Sequence, residues 1–297
     1  MNSRAETDTP YQFILWAEQQ FKDANLFFGH GTDNAYDEAA YLILRGLGLP
    51  FDLEDTLLNQ SLPAEAKDYL LALIQERIEK RLPVAYILNE AWFCGLPFYV
   101  DERVLVPRSP IAELIGERFT PWVNSDEVKR ILDIGTGSGC IAIASALAFG
   151  EAEVDAVDIS AEALAVAIEN SRRHGVSERL RLIKSDLYEN LEGQRYDIII
   201  ANPPYVDAED MANLPQEYEH EPRDGLEAGE DGLLIVRKIL AAARQHLNAN
   251  GVLIVEVGNS QLALVEAYPK LAFMWLDFEQ GGDGVFLLTA EQLEVLQ

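Results

Sequence analysis

The chain has 297 residues, with 23 Lys plus Arg against 50 Asp plus Glu and a formal charge of −27. Its apolar fraction of 48% and charged fraction of 25% exclude wholesale disorder, and its length fits one large or two ordinary domains. So acidic a chain is a poor non-specific ligand for nucleic acid, is repelled by anionic membranes and attracts basic partners; the plainer reading of its acidity is solubility.

Residues 1–10 are polar, carry no apolar signal core and read as a loose tail. From Tyr11 to about residue 83 the pattern is helical. Phe13, Ile14, Ala17 and Phe21 recur at helical spacing, as do Ala39, Ala40, Ile43, Leu44 and Leu47, and then Leu70, Leu73, Ile74 and Ile78. A small helical domain over 11–83 follows, punctuated by Gly46, Gly48, Pro50, Pro63 and Pro83. Residues 84–110 change character: AWFCGLPFYVDERVLVPR reads as two short strands around a turn at Asp101–Arg103, a hairpin linker.

From Ile111 to the end, strands and helices alternate. Strands are expected at 130–134, 153–158, 180–184, 196–201, 252–257, 274–278 and 284–288; helices fall at 111–119, 141–149, 161–174, 233–247 and 261–268. Seven strands with intervening helices predict an α/β domain over 111–297: a mostly parallel sheet, helices on both faces and an antiparallel pair at one edge. Cys94 and Cys140 read as packing residues and exclude a disulfide scaffold. The four histidines show no metal-ligand spacing, so no metal is expected. No run of about 18 apolar residues is present, so no membrane span is read and a cytoplasmic protein is expected. Charge is uneven: residues 207–231 hold ten acids and one base, Arg223, immediately after the fourth strand of this domain.

Three strand ends carry ligand-binding chemistry. ILDIGTGSGCIAIA reads as a strand, a glycine turn and a helix start, and Gly135, Gly137 and Gly139 let backbone approach a ligand. Asp158 ends the next strand, at roughly the 20-residue offset at which a carboxylate chelates ribose hydroxyls. Asp186 ends the third. In a doubly wound sheet, ligands lie at the carboxyl ends of strands, so these signals converge. Taken singly, Asp158 is as well explained as a helix cap. The turn departs from dinucleotide GxGxxG spacing and has an acid, Asp133, two residues before its first glycine. That carboxylate repels a pyrophosphate and attracts a sulfonium or an α-ammonium, which favours S-adenosylmethionine over NAD.

The fourth strand runs into Asn202-Pro203-Pro204-Tyr205. Two prolines fix the backbone and remove donors, leaving carbonyls free to accept. Asn202 adds an acceptor and Tyr205 a flat face. Together they fit a planar group bearing NH2, whose protons go to Asn202 and the Pro203 carbonyl while its plane stacks on Tyr205. Accepting those protons returns electron density to the nitrogen and aims it at an activated methyl group. An isolated Asn-Pro-Pro is otherwise a plain turn.

ILDIGTGSG, VDIS, SDL and NPPY, in this order, resemble the class I S-adenosylmethionine-dependent methyltransferases that modify glutamine amides in proteins. The resemblance extends through the helical N-terminal domain, RLPVAYIL, FCGLPFYVDERVLVPR and HEPRDGLEAGEDGL, over about residues 11–290. It implies a Rossmann-like methyltransferase domain at 111–297 and a substrate-recognition role for 11–83. It implies cofactor contacts at Asp133, Gly135, Thr136, Gly137, Gly139, Asp158, Asp186, Leu187 and Asn202, with Asp186 on the adenine amino group. It implies a substrate site at Arg108, Asn202, Pro203, Pro204 and Tyr205, with Asn202, Pro203 and Tyr205 in the catalytic set. Pro107 and Arg108 close the linker over the site, although a surface ion pair explains Arg108 equally well. Tyr188 reads as pocket wall or core.

Of two branches, one methylates translation termination factors and the other a large-subunit ribosomal protein, L-three. Pro107-Arg108 followed by SPIAELI resembles the ribosomal-protein branch, whose substrate is basic. The alternatives are the termination-factor branch, an adenine-specific nucleic-acid methyltransferase, and a non-catalytic binder. Charge opposes the nucleic-acid reading, because residues 207–231 carry the sign opposite to a nucleic-acid groove. The acids of 207–231 are expected to steer a basic substrate toward NPPY.

Overall fold

The computed structural model describes residues 7–279 and 281–296. The chain forms two compact units. The first runs to Ala91 and also includes Pro215–His220; the second comprises Trp92–Leu214 and the residues from Glu221 onward.

The first unit is helical: α1 (Pro10–Asp23), α2 (Ala35–Gly46), α3 (Asp55–Leu58), α4 (Ala64–Lys80) and α5 (Val84–Leu88). Helix α1 starts inside the stretch read as tail. Thr9 caps it and Gln12 closes a capping box, its Oε1 accepting the Thr9 N–H at 3.2 Å. Residues 1–6 of that stretch lie outside the described residues. Phe13, Ala17, Phe21, Ala39, Leu42, Ile43, Leu70 and Ile74 form one buried core, as their spacing requires. Arg77 is fully buried beneath it. Its Nε donates to Glu38 at 2.7 Å and an Nη to the Phe27 carbonyl at 2.9 Å, and the Glu217 carboxylate lies 3.7 Å away. Glu217 itself accepts the Phe27 N–H at 2.9 Å and pairs with Arg81 at 2.7 Å. These bonds attach 215–220 to helices distant from it in sequence.

The second unit opens with a hairpin, β1 (Ala91–Phe93) and β2 (Leu96–Phe98). Its turn is at Cys94-Gly95, not at Asp101–Arg103. Both turn residues have positive φ, +51° and +70°, the geometry that matches the twist of a two-residue hairpin. At Asp101 the carboxylate accepts the Arg103 N–H at 3.1 Å, making a local turn in a segment without strand partners. Asn170 receives the Tyr99 N–H at 2.8 Å, and the His174 ring bonds the Pro97 carbonyl, so the hairpin rests on the helix carrying both residues.

Next come α6 (Ile111–Gly116), β3 (Arg130–Ile134), α7 (Cys140–Ala148), β4 (Glu153–Asp158), α8 (Ala161–Arg173), β5 (Leu180–Lys184), β6 (Tyr196–Ala201), α9 (Ala208–Asn213), α10 (Leu234–His246), β7 (Leu247–Glu256), α11 (Gln261–Ala267), β8 (Met274–Trp275) and β9 (Val285–Thr289). The sheet order is β5-β4-β3-β6-β7-β9-β8; β3 to β7 are parallel, and β9 is antiparallel to both its neighbours. Alternate residues serve opposite faces. Ile131, Ile198, Ile200 and Ile254 face α7, while Leu132, Ile134, Ile199, Leu253 and Val255 face α10. The strand order reverses between β3 and β6, placing the ligand crevice at their carboxyl ends. No described helix is long and apolar enough to cross a membrane.

Candidate active site

Register brings the sequence-distant site residues level. Ile134 pairs with both Val157 and Ala201, and Ala201 pairs with Val255. The glycine turn, Asp158, Asn202 and Glu256 therefore all emerge at one edge of the sheet. Asp186 lies two residues beyond Lys184, the partner of Asp158 on β5.

The three glycines do different work. At Gly135 and Gly137, φ is +71° and +54°, and a Cβ would meet open space. The room beside them is available to a ligand. At Gly139, by contrast, a Cβ would lie 3.1 Å from the Ala167 Cβ and 3.2 Å from the Ile143 Cδ1. Glycine is needed there so that α7 can pack closely. The turn is held by the Val157 carbonyl, which accepts from Gly135 at 2.9 Å and Thr136 at 3.0 Å.

Asp158 closes β4 and holds the backbone on both sides of the crevice, while the cap of α8 falls to Ser160. One oxygen accepts the Gly137 N–H at 2.9 Å and the other the Ser160 N–H at 2.8 Å, while Ser160 caps α8. Burial raises its carboxyl pKa against the pull of the Ser160, Gly137 and Ile159 N–H groups. Each oxygen retains a lone pair for a ribose hydroxyl.

Asp133 differs from the charge placed beside the ligand by sequence. It is 1% exposed and accepts the Thr136 hydroxyl at 2.6 Å, and its Oδ1 lacks a well-formed hydrogen bond. Burial raises its carboxyl to about 7, against the lowering effect of Thr136 and the Ala142 N–H. The group is thus a buried acid poised between charge states, not a fixed surface anion. Asp186 is half-buried, with its carboxylate 3.8 Å from the Lys238 ammonium. Leu187 has φ +49° and packs against the core on the α10 side. Tyr188 is core: it is buried and stacks on His246 with centroids 4.5 Å apart. Burial pushes the thiols of Cys94 and Cys140 up to about 11 and about 12, as suits packing residues.

Asn202 is half-buried directly after β6, and Pro203 is buried behind it. Tyr205 is fixed at three points. Its carbonyl accepts the Ser260 hydroxyl at 2.9 Å, and its own hydroxyl donates to Glu256 at 3.1 Å. Its ring covers Gly258, where a Cβ would fall 2.6 Å from the ring edge. The motif exits through Val206, which bonds Leu226 and Ala228 at 2.9 Å each.

Glu256 was missed by sequence reasoning. It ends β7, is 5% exposed, and accepts Ser109 Oγ at 2.5 Å as well as Tyr205. A lone acid closing the apolar run VLIVE was the available signal. Arg108 forks onto Glu221 at 2.6 and 2.7 Å, and Glu221 also accepts the Val106 N–H at 2.9 Å. Arg108 is therefore in an ion pair with a buried partner, which fastens the segment before Ser109.

The acidic stretch is not a uniform surface. Glu217 and Glu221 are buried and paired; Glu227 pairs with Arg223 and Asp231 with Arg237. Glu209, Glu219, Asp224 and Glu230 remain exposed. Among the described residues, no three His, Cys, Asp or Glu side chains are grouped to hold a metal ion.

A doubly wound sheet with an open glycine cradle, an acid closing the next strand and Asn-Pro-Pro-Tyr at the switch point defines a class I S-adenosylmethionine-dependent methyltransferase. Residues 119–274 match the methyltransferase small domain family. The hMettl16 catalytic domain in complex with a MAT2A 3'UTR hairpin shares the fold, with TM-score 0.51 and 16% identity over 76% of this chain and 81% of that one. Two full-length relatives narrow the class. The ribosomal protein uL3 glutamine methyltransferase of Francisella tularensis subsp. tularensis is 47% identical over 95% of this chain and 90% of its own. That of Neisseria meningitidis serogroup B is 50% identical over 98% and 97%. The chain belongs to the ribosomal protein uL3 glutamine methyltransferase family.

S-adenosylmethionine is its cofactor, and the residues present fit it. The open space at Gly135 and Gly137 admits the ligand, the Asp158 carboxylate suits a vicinal diol, and the incompletely bonded Asp133 suits a nearby cation.

Proposed function

We propose that this enzyme methylates the side-chain amide nitrogen of a glutamine in ribosomal protein uL3. The observation that carries the reading is 47–50% identity, over nearly the whole chain, to relatives named for that activity. The switch-point position of Asn202–Tyr205 supports it. In this reading Gly135, Gly137, Asp158, Asp186 and Leu187 frame the cofactor, Asp133 backs its cationic end, and Gly139 shapes the turn from behind.

S-adenosylmethionine, when bound, supplies a methyl group activated by its sulfonium. Asn202 Oδ1 and the Pro203 carbonyl accept the two amide protons of the substrate, while the Tyr205 ring holds the amide plane. Neither proline carries a backbone N–H of its own that could occupy those acceptors. Asn202 Oδ1 and the Pro203 carbonyl would hold the amide protons through methyl transfer, after which one would leave to solvent. The helical unit is the substrate-recognition part, and Arg108 positions its segment through Glu221 rather than touching substrate. The uL3 substrate is basic, drawn by the exposed acids Glu209, Glu219, Asp224 and Glu230, and nucleic acid is not bound non-specifically. The enzyme works in the cytoplasm.

Labelled cofactor supplied with purified uL3, a termination factor or naked nucleic acid tests the substrate. Label is expected only in uL3, on one glutamine-containing peptide; label only in the termination factor would reverse the assignment. Asn202→Ala is expected to bind S-adenosylhomocysteine within a few-fold of wild type and to lose at least about 100-fold in kcat. Wild-type turnover would remove Asn202 from the catalytic set.

A further inference from the structure

We infer that Glu256 is a positioning residue for the methyl-accepting amide, acting through Tyr205 and tying three separate segments of the sheet unit into one support. The inference rests on the assignment of Tyr205 to the substrate amide. Glu256 ends β7 in the position level with Asn202 beyond β6. Its two oxygens divide the work: Oε1 accepts the Tyr205 hydroxyl at 3.1 Å and Oε2 the Ser109 hydroxyl at 2.5 Å. Ser109 Oγ in turn accepts the Ile111 N–H at 3.2 Å, at the start of α6. Arg108, next in the chain, is held by Glu221 and contributes a favourable charge to Glu256. A carboxylate 5% exposed is expensive unless its bonds are made, so the network specifies one arrangement.

The consequence concerns the Tyr205 ring. With its hydroxyl committed to Glu256 and its carbonyl to Ser260, the tyrosine presents its face and keeps its polar end away from the amide. Without Glu256 the hydroxyl seeks another partner and the ring tilts, so the amide loses its plane while the cofactor cradle, on β3 and β4, is untouched.

A double-mutant cycle tests this with the full-length enzyme, read as methyl transfer to whichever protein the wild type accepts. Tyr205→Phe, Glu256→Gln and the Tyr205→Phe/Glu256→Gln pair are compared, with Glu256→Ala added where it folds. Tyr205→Phe is expected to lower kcat/KM about 10-fold, and Glu256→Ala as much or more, with S-adenosylhomocysteine affinity within twofold of wild type throughout. Glu256→Gln keeps an acceptor and is expected to lose no more than about threefold. In the Tyr205→Phe background, Glu256→Gln should cause no further loss. Losses that multiply in the double variant, or a parallel fall in S-adenosylhomocysteine affinity, would make Glu256 a general structural residue and overturn the inference. The wild-type substrate preference in the same assay judges the uL3 assignment separately.

Discussion

Asp133→Asn should stabilise the ligand-free enzyme, and the gain should grow with pH. The Asp133 carboxyl is held at about 7 in the fold against an ordinary 3.8. Because the folded value is raised, its stability contribution is fully present below the ordinary value and is lost as pH rises through the folded one. At about 1.4 kcal/mol per pH unit, the mismatch between the folded and unfolded carboxyl destabilises the fold by roughly 2 kcal/mol at pH 5 and about 4 kcal/mol at pH 8. Asparagine has no such penalty and keeps an acceptor for the Thr136 hydroxyl. Urea unfolding of both proteins at several pH values between 5 and 8 should therefore show a widening gap in favour of the variant. The variant should also bind S-adenosylmethionine more weakly, since it gives up the charge that a cationic ligand would induce. A gap that stays constant with pH, or a less stable variant throughout, would refute the assignment of the buried charge to this residue.

Glu217→Ala removes the bonds to the Phe27 N–H and Arg81 and leaves the buried Arg77 with one carboxylate fewer. It should cost roughly 3–5 kcal/mol in chemical denaturation, whereas the exposed Glu219→Ala should change stability by about 0.5 kcal/mol or less. Gly232→Ala places a methyl 2.0 Å from Ser260 Oγ and 2.5 Å from the Tyr205 carbonyl, at a φ of +72°. It should displace the substrate motif and reduce kcat/KM, with S-adenosylhomocysteine binding, measured calorimetrically, preserved. Neutralising Glu209, Glu219, Asp224 and Glu230 together should lower kcat/KM at low salt and flatten its salt dependence. An unchanged salt slope would return those acids to a role in solubility alone.

The sheet was legible because its short strands, rich in branched apolar residues, alternate with amphipathic helices, so even the antiparallel edge emerged from 274–288. The glycine turn and NPPY were legible because each concentrates its signal in a few adjacent residues. The hairpin turn was misplaced because Asp101-Glu102-Arg103 is the more polar stretch, while Cys94 adopts a positive φ that its identity does not advertise. The support behind NPPY was hidden for another reason. Glu256, Ser109 and Tyr205 come from three segments far apart in sequence that meet only in the fold. Burial likewise inverted the meaning of several acids: Glu217, Glu221 and Asp133 count toward −27 in the sequence, yet the first two are paired inside the fold and burial raises the pKa of the third.

The attachment of residues 215–220 to the helical unit bears on how the chain is made. Helices α1 to α5 leave a translating ribosome before the sheet does, but the carboxylate that bonds the Phe27 N–H lies 190 residues downstream. By the time Glu217 emerges, strands β3 to β6 have already been synthesised. The helical unit is consequently completed only after much of the sheet has been made. A nascent or truncated chain ending near Ala91 would keep the bonds of Arg77 to Glu38 and the Phe27 carbonyl but lack the Glu217 carboxylate beside it. The N-terminal helices are thus no detachable module, and a fragment cut at Ala91 lacks a piece of its own interior.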